Sequence, residues 1–196
     1  MNFKTRELVL LAVFGALWGA SEIMLGSVLH NLKVPFNGVI LAGIGLLIAL
    51  IGRVFIPKRG ATFFIGVIAT ILKLFSIGSV VVGPMIGILA EALLAELILT
   101  LSKRPSRPAF MLAGSLGVLW TLLHPFFTGL LLFGRSIVEV WLATIQEGSR
   151  LLGLQVGSGA LILAILLILI FIRVIVGGLA GWLAWDVGKL LKTRTG

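Results

Sequence analysis

Long apolar runs separated by short charged stretches occupy almost the whole chain. Six can be drawn, over 7–29, 35–55, 60–76, 83–101, 109–133 and 158–190. They are continuously apolar rather than alternating, so each reads as a helix and not as a barrel strand. A helix needs about 20 residues to cross roughly 30 Å of hydrocarbon. The third run is short and the sixth too long, so the sixth is expected to tilt strongly or to project beyond the bilayer. Between the fifth and sixth lies 135–154, RSIVEVWLATIQEGSRLLGL, amphipathic and too charged to cross. It is expected to form an external helix or lid on the bundle, with Trp141 near the interface. The pattern predicts an all-α integral membrane protein: a single membrane domain, 1–196, folded as a six-transmembrane-helix bundle.

Composition narrows the function classes. Hydrophobic residues make up 59% of the 196 and the mean hydropathy is +1.20, so the bilayer is the natural solvent. The spans use most of the length and leave no room for a soluble catalytic domain. Cysteine is absent, which excludes disulfides, thiolate metal sites and cysteine nucleophiles. The basic start MNFKTRE precedes a run too long for a signal peptide, so a retained first span is expected.

The net charge of +9 would suggest nucleic acid in a soluble protein; here its distribution gives orientation instead. Lys4, Arg6, Arg53, Lys58, Arg59, Lys103, Arg104, Arg107, Lys189, Lys192 and Arg194 all fall on one side. Lys33, Arg135 and Arg150 fall on the other, the last two accompanied by Glu139 and Glu147. Positive residues stay in the cytoplasm, so both termini are expected there.

The first run carries a seam of small residues. Ala12, Ala16 and Ala20 recur at four-residue spacing, with Gly15 and Gly19 between them, and on a helix these five share one broad side. Trp18 and Glu22 share the neighbouring flank, which makes them a candidate edge of a binding pocket. Small residues at this spacing serve packing within a chain as readily as docking between chains.

A charged group at the centre of the hydrocarbon costs about 2.5–3.5 kcal/mol on insertion scales, so each needs a partner or a cavity. Glu91 follows Gly83 and Gly87 and precedes Ala95 at four-residue steps, a face on which a ligand can approach the carboxylate. It is either a substrate-facing acid or half of a buried ion pair with Lys73 or another base. Trp120, His124 and Thr128 form a second stripe, and Pro125 deprives the Thr121 carbonyl of its helical partner. That stripe is either a pocket lined by indole, imidazole and carbonyl, or a packed proline kink. Arg173, aligned with Gly177 and Gly181, is expected to pair with Glu96 in a structural role, the alternative being direct contact with substrate. The external His30, Asn31, Lys33 and Asn37 either cap a site from above or form a hydrated turn. SIGSVVVGP, 76–84, reads as a second external loop. Two histidines without cysteine make a poor metal signature.

Four stretches together resemble the substrate-binding S-components of energy-coupling factor (ECF) vitamin transporters. They are KTREL running into the AxxxA string Ala12-Val13-Phe14-Gly15-Ala16; VPFNG leading into the second helix; VVVGPMIGILAEALLAEL opening the fourth; and the closing GGLAGWLAWDVGKLLK with its basic tail. KRGATFF and the two acids of the fourth helix echo the branch that handles thiamine or its pyrimidine precursor.

The resemblance implies six helices, cytosolic termini and a vitamin site open to the outside. It implies no ATP hydrolysis by the chain itself and no cofactor. Ala12 and Ala16, extended by Ala20, would dock onto a transmembrane coupling subunit that carries two cytoplasmic ATPases. The expected site is Trp18, Glu22, His30, Asn31, Asn37, Lys73, Glu91, Trp120, His124 and Trp141, taking a small vitamin or precursor, thiamine-like by the faint echoes. The expected location is the cytoplasmic (inner) membrane of a prokaryote, with no nucleic-acid partner. The rivals are a self-contained secondary transporter or channel, a structural membrane subunit, and an intramembrane enzyme. The enzyme lacks a motif: no Gly-x-Ser-x-Gly, HExxH or paired-glutamate-plus-histidine pattern occurs.

Overall fold

The computed structural model describes residues 2–76, 82–102, 104–154 and 159–195, with the side chains of His30 and Thr195 excepted. Among these residues the chain is all-helical. It runs α1 (Thr5–Asn31), α2 (Asn37–Phe55), α3 (Ala61–Lys73), α4 (Val82–Leu101), α5 (Arg107–Phe133), α6 (Ile137–Leu152) and α7 (Gly159–Thr195). By length and composition five helices suffice to cross a membrane: α1, α2, α4, α5 and α7. This is the architecture of a multi-pass α-helical membrane protein.

Local chemistry sets the helix ends. Ser106 caps α5 by accepting from the Ala109 amide, with Pro108 in the first turn where its missing N–H is harmless. Ser136 and Glu139 form a capping box that starts α6, and Gly153, at φ 66°, stops it in a left-handed conformation. α6 is therefore a helix of its own, as the amphipathic stretch predicts. α3 is shorter than its apolar run, because Leu74 and Phe75 turn out of the helix. At 13 residues it spans about 20 Å, less than the hydrocarbon thickness. α7, with 37 residues, is longer than needed to cross, as expected.

α2 sits centrally, packed on α1, α3, α4, α5 and α7, while α6, among the described residues, touches α5 and α7 alone. The tightest crossing is α5 on α7. Gly114 faces the Gly177 carbonyl and Gly181 faces that of Phe110, so backbone meets backbone with no side chain between. Trp18, wholly enclosed, lays its indole over Gly45 of α2, where a methyl group would collide with the ring.

The seam on α1 is divided. A Cβ on Gly15 would strike Ile68 of α3 at 2.6 Å, and one on Gly19 would lie 2.8 Å from Leu72. Ala12, Ala16 and Ala20 are exposed. This corrects the expectation of one shared side. At about 100° per residue the glycine row lies roughly 80° around the helix from the alanine row, and α3 occupies only the former.

Ionic and polar contacts draw the basic ends together. Lys58, after α2, bonds Glu7 of α1 at 2.6 Å and the Asn2 carbonyl at 3.0 Å. Arg107 at the start of α5 pairs with Asp186 of α7 at 2.6 Å, and Lys192 reaches the Val54 carbonyl. The N-terminal end of α1 and the C-terminal end of α7 thus share the end of the bundle that carries most of the basic residues. Lys103, counted with them in the sequence, lies outside the described residues.

Candidate functional site

Toward the other end, α4 presents Gly83, Gly87 and Glu91 in one row. His124 of α5 donates from Nε2 to the Gly83 carbonyl at 2.8 Å. The ring lies beside Gly87, where a Cβ would stand 3.6 Å from the imidazole. The imidazole thus packs along the glycine row while it bonds α4's backbone. One turn further on, Glu91 is buried, 6% exposed, and its Oε2 has no hydrogen-bond partner among the described residues. No ion pair reaches it among the described residues.

Glu22 and Lys73 form the neighbouring pair. Their charged groups are 3.5 Å apart, and Lys73 Nζ also donates to the Glu22 carbonyl at 3.2 Å. Gly26 lies beside the ammonium, where a Cβ would stand 3.8 Å from Nζ, an ordinary contact. Glu22 is close enough to act on Glu91 as a like charge. Lys73 therefore neutralises Glu22 and not Glu91, which corrects one of the two expectations for Glu91. The three groups hold two acids against one ammonium. With both acids ionised the cluster has a net negative charge in a low-dielectric interior, an arrangement complementary to a cation.

The aromatic residues divide. Trp120 is half-buried, its Nε1 is without a partner, and its ring packs on Phe127 with centroids 4.7 Å apart. Trp18 is sealed into the α1–α2 contact. Trp141 lies exposed on α6, 6.1 Å from the Phe126 ring. Asn31 is exposed at the end of α1, and Asn37 opens α2 with its Oδ1 accepting from Gly38 at 2.6 Å. Lys33 is exposed and takes a left-handed φ of 51°. None of these three hydrogen-bonds the acidic cluster. The His30 side chain, and 77–81 of the second external loop, lie outside the described residues. The structure thus brings together Glu22, Lys73, Glu91 and His124, and leaves Asn31, Asn37 and Trp141 away from them.

Arg173 does not pair with Glu96. Arg53 of α2 takes that acid at 3.7 Å, because both stand near the basic end. Arg173 instead donates Nε to the Thr121 hydroxyl at 3.0 Å and Nη1 to the Leu169 carbonyl at 2.9 Å. It borders a half-open cavity of about 300 Å³ lined by α5, α6 and α7, with Pro125, Thr128 and Val140 also on its walls. The sequence places α6 as a cover through Trp141, which is not on this wall, and does not single out Val140, Ala143 or Thr144, which are. A second cavity, about 260 Å³, lies at the basic end between Arg53, Trp185, Lys189 and Lys192.

Comparison with protein-family models, with curated proteins and with solved structures found no match to this chain.

Proposed function

We propose that this chain is the substrate-capturing membrane subunit of an ATP-driven ECF-type importer for a small vitamin or vitamin precursor. In this reading six helices cross the membrane, α3 included, and α6 lies outside as a cover. Both termini face the cytoplasm of a prokaryote, as the clustered basic residues favour. Ala12, Ala16 and Ala20 dock on the coupling subunit, and two cytoplasmic ATPases on that module supply the energy.

The observation that carries the reading is the open alanine row beside an occupied glycine row. Packing within the chain accounts for Gly15 and Gly19, since α3 covers them, and leaves the alanines on a lipid-accessible face. Small side chains there let a foreign helix approach and slide with little interlocking. The buried acid suits the other half of the task. Glu91 with Trp120 would hold a cationic aromatic ring, thiamine-like, by charge and by cation–π contact.

Ala16→Trp tests the docking face. The variant is expected to fold and bind ligand normally but to lose co-purification with coupling subunit and ATPases. Undiminished assembly contradicts the reading. Uptake by the purified chain alone in liposomes would replace it with a self-contained transporter.

A further inference from the structure

We infer that the cavity under α6 is a second binding site, one that takes the oxyanion of a small soluble molecule with an aromatic or aliphatic body. The inference goes beyond the importer reading and stands without it. Its basis is a cation without an acid. Arg173 lies midway along the bundle, half-buried, and no carboxylate pairs with it among the described residues. A guanidinium held at membrane depth needs a counter-charge or a cavity. Here it has the cavity.

The geometry presents the group. Thr121 and the Leu169 carbonyl hold the guanidinium from its two sides through Nε and Nη1, and Nη2 makes no hydrogen bond among the described residues. A planar fork held in this way is set to receive a carboxylate or phosphate through its remaining donors. The lining hydroxyls cannot substitute for it. Thr121, Thr128 and Thr144 give their hydrogens to the carbonyls of Val118, His124 and Val140. Arg173 and Arg135 are therefore the charged donors of the cavity, and Glu147, the acid on its wall, is tied to Arg150 at 2.6 Å and 3.0 Å. Phe133, Val140 and Leu169 supply apolar wall for the rest of the ligand. A volume of about 300 Å³ falls at the small end of ligand pockets, a size for one ring and its acid group.

The experiment uses the full chain in phosphatidylcholine nanodiscs, with phenyl phosphate as the probe and benzyl alcohol as its uncharged counterpart. Phenyl phosphate is expected to raise the unfolding temperature in a saturable way, and benzyl alcohol is not. Arg173→Gln should weaken probe binding about tenfold or more, the size of a lost charged hydrogen bond. Arg173→Lys keeps the charge without the fork and should fall between. Ala143→Trp fills the cavity from α6, leaves Arg173 in place and should also abolish the response. Lys189→Gln, far along α7, should not change it. Equal responses from wild type and a folded Arg173→Gln, or from phenyl phosphate and benzyl alcohol, would overturn the site. So would a full response in Ala143→Trp. Loss of probe binding in nanodiscs containing phosphatidylglycerol would assign the cavity to a lipid headgroup and overturn the soluble ligand.

Discussion

Glu91 and Glu96 stand five positions apart on α4, both 6% exposed, and have opposite surroundings. Glu96 accepts from the Gly60 amide at 2.7 Å, the Thr62 amide at 3.0 Å and the Thr100 hydroxyl at 2.8 Å, with Arg53 at 3.7 Å. It ties the turn before α3 to α4 and α2, and its lone pairs are filled. Among the described residues Glu91 has no ion pair, a bare Oε2 and a like charge for a neighbour. A buried acid that holds a fold together is satisfied by the fold. One left unsatisfied destabilises the protein unless something else completes it. The contrast separates a structural carboxylate from one available to a ligand, and it can be tested from both sides.

The largest effect is expected at the filled acid. Glu96→Ala leaves Arg53 buried without its counter-charge and strands two amides at the start of α3, a loss of about 3–5 kcal/mol. Thermal unfolding in detergent, followed by tryptophan fluorescence, should show a large drop or no folded protein. An unchanged midpoint would mean that the network does not hold the basic end. Lys73→Met comes next. It leaves Glu22 unpaired beside Glu91, at a cost on the order of 3 kcal/mol, and Glu22→Gln in the same chain should restore most of it. Failure of that rescue would show Lys73 serving Glu91 instead.

The two acids also differ in the packing around them. Away from the acidic cluster the α5/α7 crossing puts backbone on backbone, so Gly177→Ala drives a methyl into Gly114 and should cost about 1–3 kcal/mol. Beside Glu91 the glycines are less crowded. A Cβ on Gly87 meets His124 at 3.6 Å, an ordinary contact, and alanine should be tolerated or slightly stabilising through its helix propensity. Comparable losses from both substitutions would show the α4 face to be as tightly packed as the α5/α7 crossing.

This division was only partly legible in the sequence. The helices followed from continuous apolar runs, and α6 from a charged amphipathic stretch between capping residues. The intramembrane charges were also visible, because each is an exception to its surroundings. Their partners were not. Whether Glu96 meets Arg53 or Arg173, and whether Lys73 meets Glu22 or Glu91, depends on which helices are neighbours and on their rotation, and no spacing within one helix encodes that. The two rows on α1 show the same limit. Four-residue spacing marks both the glycines and the alanines as smooth, and only the position of α3 decides which of them is covered.

The smallest effect on stability, and the most informative, is expected from Glu91→Gln. The amide keeps the volume and removes the charge, so it relieves the repulsion from Glu22 and the burial of an ion without a counter-ion. The unfolding temperature should stay level or rise slightly. In the same preparation, affinity for a cationic vitamin such as thiamine should fall about tenfold or more, since a charged hydrogen bond is lost without a fold being lost. Stability and binding then move in opposite directions, which a purely structural acid cannot produce. A clear drop in unfolding temperature would place Glu91 with Glu96 as part of the scaffold. Stability and affinity both unchanged would leave the carboxylate idle and move the ligand elsewhere in the bundle.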